Sequence, residues 1–268
     1  MTLPKVLPDL PSIGLQVPDF PAAAKAFQFT REHCDATTYN HTARAAYWAL
    51  ILSKKLPEFR KSSVDLEVVV VGCILHDMGW ATSKELLSND KRFEVDGANI
   101  ARDFVRKFST DNDASDTPDL EGWSEARAQR MWDGIALHTT PSIARFAAPE
   151  VALTHLGVMA DFAGPGFAEP GGEQLITLEE YRAVMEAFPR AGFNSEGLKK
   201  IACWLCRTKA ETTFDNWVSG FGLRYGTDGT GAGKEVYAKA WEKGQAMNFL
   251  LSGLDALDSL DHEKKTNL

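Results

Sequence analysis

Cysteine is scarce in this chain. There are four, Cys34, Cys73, Cys203 and Cys206, without framework spacing. So few thiols exclude a disulfide-stapled secreted domain and point to a reducing compartment. Positive charge is also in deficit: 29 Lys and Arg stand against 37 Asp and Glu, a formal net charge of -8. That balance lacks the basic footprint needed for nucleic acid or for an anionic membrane surface. No apolar run reaches the length of a membrane span. The opening residues, MTLPKVLPDLPSIGLQVPDFP, hold no signal-peptide core, and their prolines break an amphipathic transit helix. The expectation is a cytoplasmic protein whose partner is a small-molecule substrate, with neither nucleic acid nor membrane involved.

What is present is helical pattern. Residues 1–21 carry Pro4, Pro8, Pro11, Pro18 and Pro21 and read as an extended arm. Its apolar residues, Leu7, Leu10, Leu15 and Val17 among them, favour docking on the body, and such an arm is available for exchange in a homo-oligomer. From Ala22 the periodicity is that of helices, and no linker interrupts it. The reading is an all-α, single-domain bundle of about nine or ten helices. Its body covers residues 22–255, and a charged tail, 256–268, frays. Asp65 to Asp77 is ambiguous: Val68-Val69-Val70-Val71 has strand propensity, but Asp65 is a good cap and the apolar run outlasts a normal strand, so a buried helix is preferred. Residues 109–120 read as an acidic surface loop and 163–172 as a loop or lid. Helices are expected at Phe214–Trp217 and Lys234–Leu250, with a glycine-rich loop at 226–233 between them.

The chemistry gathers around Cys73-Ile74-Leu75-His76-Asp77-Met78-Gly79, where an apolar run ends in an imidazole and a carboxylate. Burying that carboxylate costs several kcal/mol unless it is paired or metal-bound. His41, His138 and Asp161 likewise sit in or at the end of apolar helical segments. Each alone is best explained as a cap or salt bridge; four such positions around one bundle make a shared metal site more economical. His155, isolated in an apolar helix, reads as a hydrogen-bonded core histidine.

The order His, then His-Asp, then Asp resembles the HD-domain metal hydrolase superfamily. The resemblance is closer to its cyanamide hydratase-like branch. Thr38-Tyr39-Asn40-His41, with Arg44, Tyr47 and Trp48, is similar to that branch's TYNHxxRxxYW segment; Cys73 to Gly79 is similar to its CLLHDxG. Ala187-Phe188-Pro189-Arg190 is similar to its AFPR, and the likeness spans about residues 30–215. It implies His41, His76, Asp77 and Asp161 as metal ligands, and zinc as the metal. A mixed imidazole and carboxylate shell also suits iron, manganese, cobalt or nickel. The chain departs from the branch at Trp80, Asp96 and the Thr139-Thr140 pair, positions that line the expected pocket.

Dinuclear superfamily members carry a further histidine where this chain has Phe93, which favours a single ion with open positions for water. A divalent metal lowers the pKa of bound water from 15.7 to about 7 and so supplies hydroxide at neutral pH. The expected function is hydrolysis or hydration of a small polar molecule, nitrile-like or an amide. His138 is expected to act as general acid or base, to hold the substrate, or to support a ligand carboxylate. Glu94 is expected to orient water or to sit at a helix N-terminus for its charge. Arg44 is expected to bind substrate or to pair with Asp77 or Asp161; Trp80, Asp96 and Thr139 complete the substrate contacts, with Trp80, Phe93 and Trp132 as walls. The rivals are a phosphohydrolase, a di-iron oxygenase and a non-catalytic protein stabilised by its metal. Cys203-x-x-Cys206 reads as two buried thiols on a helix, and Gly231-Ala232-Gly233-Lys234 fails the register of a phosphate loop.

Overall fold

A computed structural model describes residues 7–112, 122–168 and 172–266. Among them are thirteen α-helices and no strand, the all-α class that the periodicity predicts. The acidic loop expected at 109–120 and the middle of the expected lid fall largely outside the described residues. The chain divides into two compact units, Met1–Asn194 and Ser195–Leu268, where the sequence reading drew one body over 22–255.

In the first unit the arm lies on the body. Leu7, Leu10, Leu15 and Val17 are buried. Tyr47 donates its hydroxyl to the Pro8 carbonyl at 2.7 Å, and the Val17 amide donates to Asp9 at 2.8 Å. Helices α1 (Pro21–His33) and α2 (Ala36–Lys55) follow, with Asp35 rather than Thr37 or Thr38 capping α2 through the Thr38 amide. Helix α3 (Pro57–Lys61) is one turn started by its proline.

Helix α4 (Leu66–Leu75) resolves the ambiguous run. Asp65 accepts the Val68 amide, and every residue from Val68 to Leu75 is buried. A helix apolar on all sides belongs in the middle of a bundle, and α4 packs against α1, α2, α5 (Phe93–Asn112), α6 (Glu125–Leu137) and α8 (Pro149–Ala163). The local β preference of four valines loses to burial. Helix α7 (Pro141–Ala144) joins α6 to α8, and α9 (Leu178–Ala187) starts at a capping box made by Thr177 and Glu180.

The second unit holds α10 (Ser195–Thr208), α11 (Ser219–Tyr225), α12 (Lys234–Lys243) and α13 (Ala246–Thr266). Cys203 and Cys206 are buried free thiols on α10. The helix expected at Phe214–Trp217 is a run of turns, because the Asn216 side chain takes the Val218 amide. In the glycine-rich loop the Asp228 carboxylate accepts the amides of Thr230, Gly231 and Ala232. The helix expected over Lys234–Leu250 breaks at Gly244, and a second helix runs from Ala246 to Thr266.

Helices α2 and α8 cross closely near the site. A Cβ on Gly157 would stand 2.7 Å from the Ala45 carbonyl oxygen and 2.9 Å from the Ala49 Cβ. Gly157→Ala is therefore expected to destabilise the fold by about 1–3 kcal/mol in urea unfolding. Gly253→Ala, with nothing near its Cβ on an exposed helix, is expected to be neutral or to stabilise by up to about 1 kcal/mol. Equal effects from the two would refute this account of the crossing.

Candidate metal centre

Five helical segments converge here. His41 comes from the first half of α2. His76 ends α4, and Asp77 opens the 3-10 turn Met78–Trp80. His138 ends α6, and Asp161 lies in the last turn of α8. All five side chains are buried, none more than 2 % exposed. The His-Asp turn is held by close backbone packing: a Cβ on Gly79 would stand 1.7 Å from the Phe93 carbonyl oxygen.

Each imidazole has its outer nitrogen tied to an acceptor. His76 Nδ1 donates to the Cys73 carbonyl at 2.7 Å and His138 Nδ1 to the Ile135 carbonyl at 2.6 Å. His41 Nδ1 donates to Asp161 Oδ2 at 2.7 Å. A neutral ring with its proton on Nδ1 presents a lone pair at Nε2. The Nε2 atoms of His41 and His76 face one another at 3.2 Å. Asp77 Oδ2 lies 3.4 Å from His41 Nε2 and 3.1 Å from His76 Nε2, and Asp77 Oδ1 lies 3.9 Å from His138 Nε2. Neither oxygen of Asp77, which is fully buried, accepts a hydrogen bond.

Lone pairs facing lone pairs beside an unsatisfied buried carboxylate repel unless a cation stands among them. The donor atoms of His41, His76 and Asp77 all lie within 4.8 Å of one another. Two imidazole nitrogens and a carboxylate are a donor set for a divalent transition metal, so these residues fit such an ion. Burial opposes charging His76, but Asp77 and the Cys73 carbonyl outweigh it and raise its pKa. Burial holds His41 below the ordinary value against Asp161 and Asp77. Burial and then His76 press His138 down to about 3. Burial would raise the Asp77 carboxyl, yet the imidazoles around it bring it below its usual range.

Asp161 is placed differently from the sequence expectation. Its oxygens face away from Asp77 and are taken by other donors. Arg44 grips both, Nε to Oδ1 and Nη2 to Oδ2, each at 2.8 Å; Trp48 Nε1 donates to Oδ1 at 3.0 Å. With His41 Nδ1 on Oδ2, little of the carboxylate is left for an ion. Its pKa is depressed despite burial, because His41 and Arg44 stabilise the charge. Arg44 is likewise spent: its remaining terminal nitrogen donates to the carbonyls of Phe188 at 3.3 Å and Pro189 at 3.0 Å. It is Asp161's partner and not an open substrate contact.

The other expected residues split. Trp80 stacks on Phe93 with centroids 4.9 Å apart, and Phe93 meets His138 edge-on at 5.8 Å. Trp132 donates to Asn99. Glu94 and Thr139 come together: the Thr139 hydroxyl donates to Glu94 at 2.6 Å, and Arg92 grips the same carboxylate at 2.9 Å. Glu94 thus ties the segment after His138 to the start of α5. Asp96 accepts the Ser88 amide at 3.2 Å and serves the preceding loop. Sequence reasoning missed Phe193, stacked on His41 at 4.0 Å, and Phe162, edge-on to the same ring. No motif flags Phe193. Trp48 and Arg190 lie inside quoted segments without an assigned role, and Arg190 donates to the Asp161 carbonyl at 2.8 Å.

Two buried histidines and an aspartate thus form, among packed helices, a cluster that could hold a metal ion. The family model for the HD domain matches residues 38–163, the stretch from the first turn of α2 to the end of α8. This match supports the HD-domain superfamily, whose members are typically metal-dependent hydrolases that bind divalent metals. No curated protein matches the chain. Among the described residues, no helix is long and apolar enough to cross a membrane.

The unsatisfied carboxylate gives a direct test. Zinc or manganese added to chelator-treated protein is expected to raise the melting temperature. The rise should vanish in Asp77→Asn, which keeps the shape but loses the charge. Equal shifts in both proteins would rule out Asp77 as the centre of the site.

Proposed function

We propose that the chain is a mononuclear metal-dependent hydrolase or hydro-lyase acting on a small, polar, uncharged molecule of the nitrile or amide class. The observation that carries this reading is Asp77, a fully buried carboxylate without a hydrogen bond, facing two Nε2 lone pairs. His41, His76 and Asp77 would hold the ion. Asp161 acts one step back: it fixes the ring of His41 and keeps its proton on Nδ1, as carboxylates behind metal-bound histidines do. The ion, when bound, supplies Lewis acidity and a water of lowered pKa.

The residues around it select and orient. His138 offers a neutral Nε2 as acceptor for a water or a substrate N–H. Its low proton affinity favours that holding role over the acid-base role suggested by an ordinary imidazole. Phe93, Trp80, Phe162 and Phe193 surround the imidazoles with apolar surface, which keeps bulk water out and strengthens polar contacts. The cations on the segments that carry His41 and those flanking His76 and Asp77 are committed, and Arg145 lines a separate cleft. Arg44 is held by Asp161, Arg92 by Glu94, Lys91 by Asp90, and Lys84 by the Ala81 carbonyl. This supports an uncharged substrate over a phosphoester. Phe93, at the position where dinuclear relatives carry a further ligand, supports one ion over two. The residues that carry the resemblance to cyanamide hydratases, His41, Arg44, Trp48 and the Phe188-Pro189-Arg190 segment, meet at Asp161. That convergence supports the hydratase-like branch. Zinc is the proposed metal.

Protein purified without added metal or chelator is expected to hold about one equivalent per chain by elemental analysis, and to turn over a member of a nitrile and amide panel but no phosphoester. Two equivalents of iron, or phosphatase activity alone, would overturn the reading. Asp161→Asn separates its two possible roles. As a support it should lower metal affinity about 10–100-fold while saturation still reaches one equivalent; a direct ligand would not saturate. His138→Ala should keep the metal and lower kcat at least about 100-fold.

A further inference from the structure

The first unit contains a cleft of about 430 Å3 that none of His41, His76, Asp77, His138 or Asp161 lines. It lies between α3, α7, α8 and the residues Phe167, Ala168 and Leu175. The volume is in the range that holds small ligands, about 300–1,000 Å3. Phe59, Leu156, Met159 and Phe167 give it apolar walls, and three polar side chains join the lining: Glu58, Arg145 and His155.

His155 is the informative one. It is only 2 % exposed. Its Nδ1 donates to the His138 carbonyl at 2.6 Å, which leaves Nε2 as a lone-pair acceptor in the neutral ring. Burial lowers its pKa and keeps the ring neutral. That Nε2 has no partner among the described residues. The Arg145 guanidinium and the Glu58 carboxylate also lack an ion pair among the described residues. The cleft therefore offers one buried acceptor, one exposed fork of donors and one negative charge around an apolar space.

We propose that this cleft binds a small carboxamide with an apolar body. The amide N–H donates to His155 Nε2, and the carbonyl oxygen accepts from Arg145. The alkyl or aryl group lies on Phe59, Leu156, Met159 and Phe167. A carboxylate of the same shape gains a charged bond at the exposed Arg145, but it has no proton to give the buried His155 acceptor and it meets the charge of Glu58, which together outweigh that gain. The inference does not rest on the metal reading.

The test is calorimetric or saturation-transfer titration of the full chain with phenylacetamide and phenylacetate, with zinc and again with chelator. Saturable amide binding is expected, with a Kd of about 1 mM or tighter for a fragment of this size. Phenylacetate should bind about tenfold more weakly. His155→Phe should weaken the amide about tenfold, the loss of one hydrogen bond to a buried group. Met159→Trp, at the half-exposed rim and safe for folding, should fill the space and abolish binding. The proposal is overturned by the absence of saturable binding, by equal affinity for amide and acid, or by affinity unchanged in both variants. Binding that disappears with chelation would also overturn it, since the ligand would then sit on the metal.

Discussion

The centre of this protein depends on where three protons are held. The Cys73 carbonyl, the Ile135 carbonyl and the Asp161 carboxylate each take the Nδ1–H of one imidazole. In the neutral rings the inner nitrogens then carry lone pairs and have nothing to donate. Asp77, between them, has two buried oxygens and no donor. The cluster is assembled so that only a cation completes it. Two of the anchors are carbonyls three residues back along the same chain, at the ends of α4 and α6. Helix ends have spare carbonyls, and a histidine in the last turn can use one without any tertiary partner. The third ring, that of His41, lies mid-helix where the carbonyls are already bonded, so it requires a carboxylate from another helix. That requirement ties α2 to α8.

The tie has its own conditions. A buried carboxylate missing its partner costs about 3–5 kcal/mol, and Asp161 sits among packed helices. Arg44, one turn beyond His41, brings a forked guanidinium that matches both oxygens, and Trp48, one turn further, adds a third donor. His41, Arg44 and Trp48 share one stripe of α2 because helical neighbours recur every three to four residues. The Arg44 charge is completed by the carbonyls of Phe188 and Pro189. His41, Asp161 and Arg44 thus form a hydrogen-bonded chain, and its far end is a loop 145 residues from Arg44 in sequence.

Much of this was legible and some was not, for definite reasons. The all-α class followed from period, and α4 was correctly placed because burial on every side outweighs the β preference of Val68 to Val71. His41, His76 and Asp77 were legible because polar groups at the ends of apolar runs need partners. Asp161 was legible as belonging to the site but not in its role, since one sequence does not tell which carboxylate receives the arginine. Phe193 was invisible: an aromatic after a turn carries no periodic signal, and its stack on His41 exists only in three dimensions. The helix expected at Phe214–Trp217 failed because an Asn side chain competes for a backbone amide.

The different fates of Asp77 and Asp161 follow from their neighbours. Both are fully buried carboxylates whose pKa values are depressed against the pull of burial. Asp161 is surrounded by N–H donors with fixed protons, so its charge is balanced before any ion arrives. It contributes orientation, and its geometry does not depend on the metal. Asp77 is surrounded by nitrogens whose protons point outward, so its charge is balanced only by what comes to occupy the centre. A site built this way separates rigidity from affinity. The shell around His41 is complete in the folded chain, and the free energy of the unsatisfied carboxylate is held for the ion. The aromatic rings around the imidazoles keep that carboxylate from being satisfied by bulk water instead, and the low dielectric they create makes the attraction to a divalent cation stronger than it would be at the surface. Arg44 and Arg92, the arginines nearest in sequence to these residues, are each held by another carboxylate. A loose guanidinium within reach of Asp77 would pair with it and remove the demand for the metal.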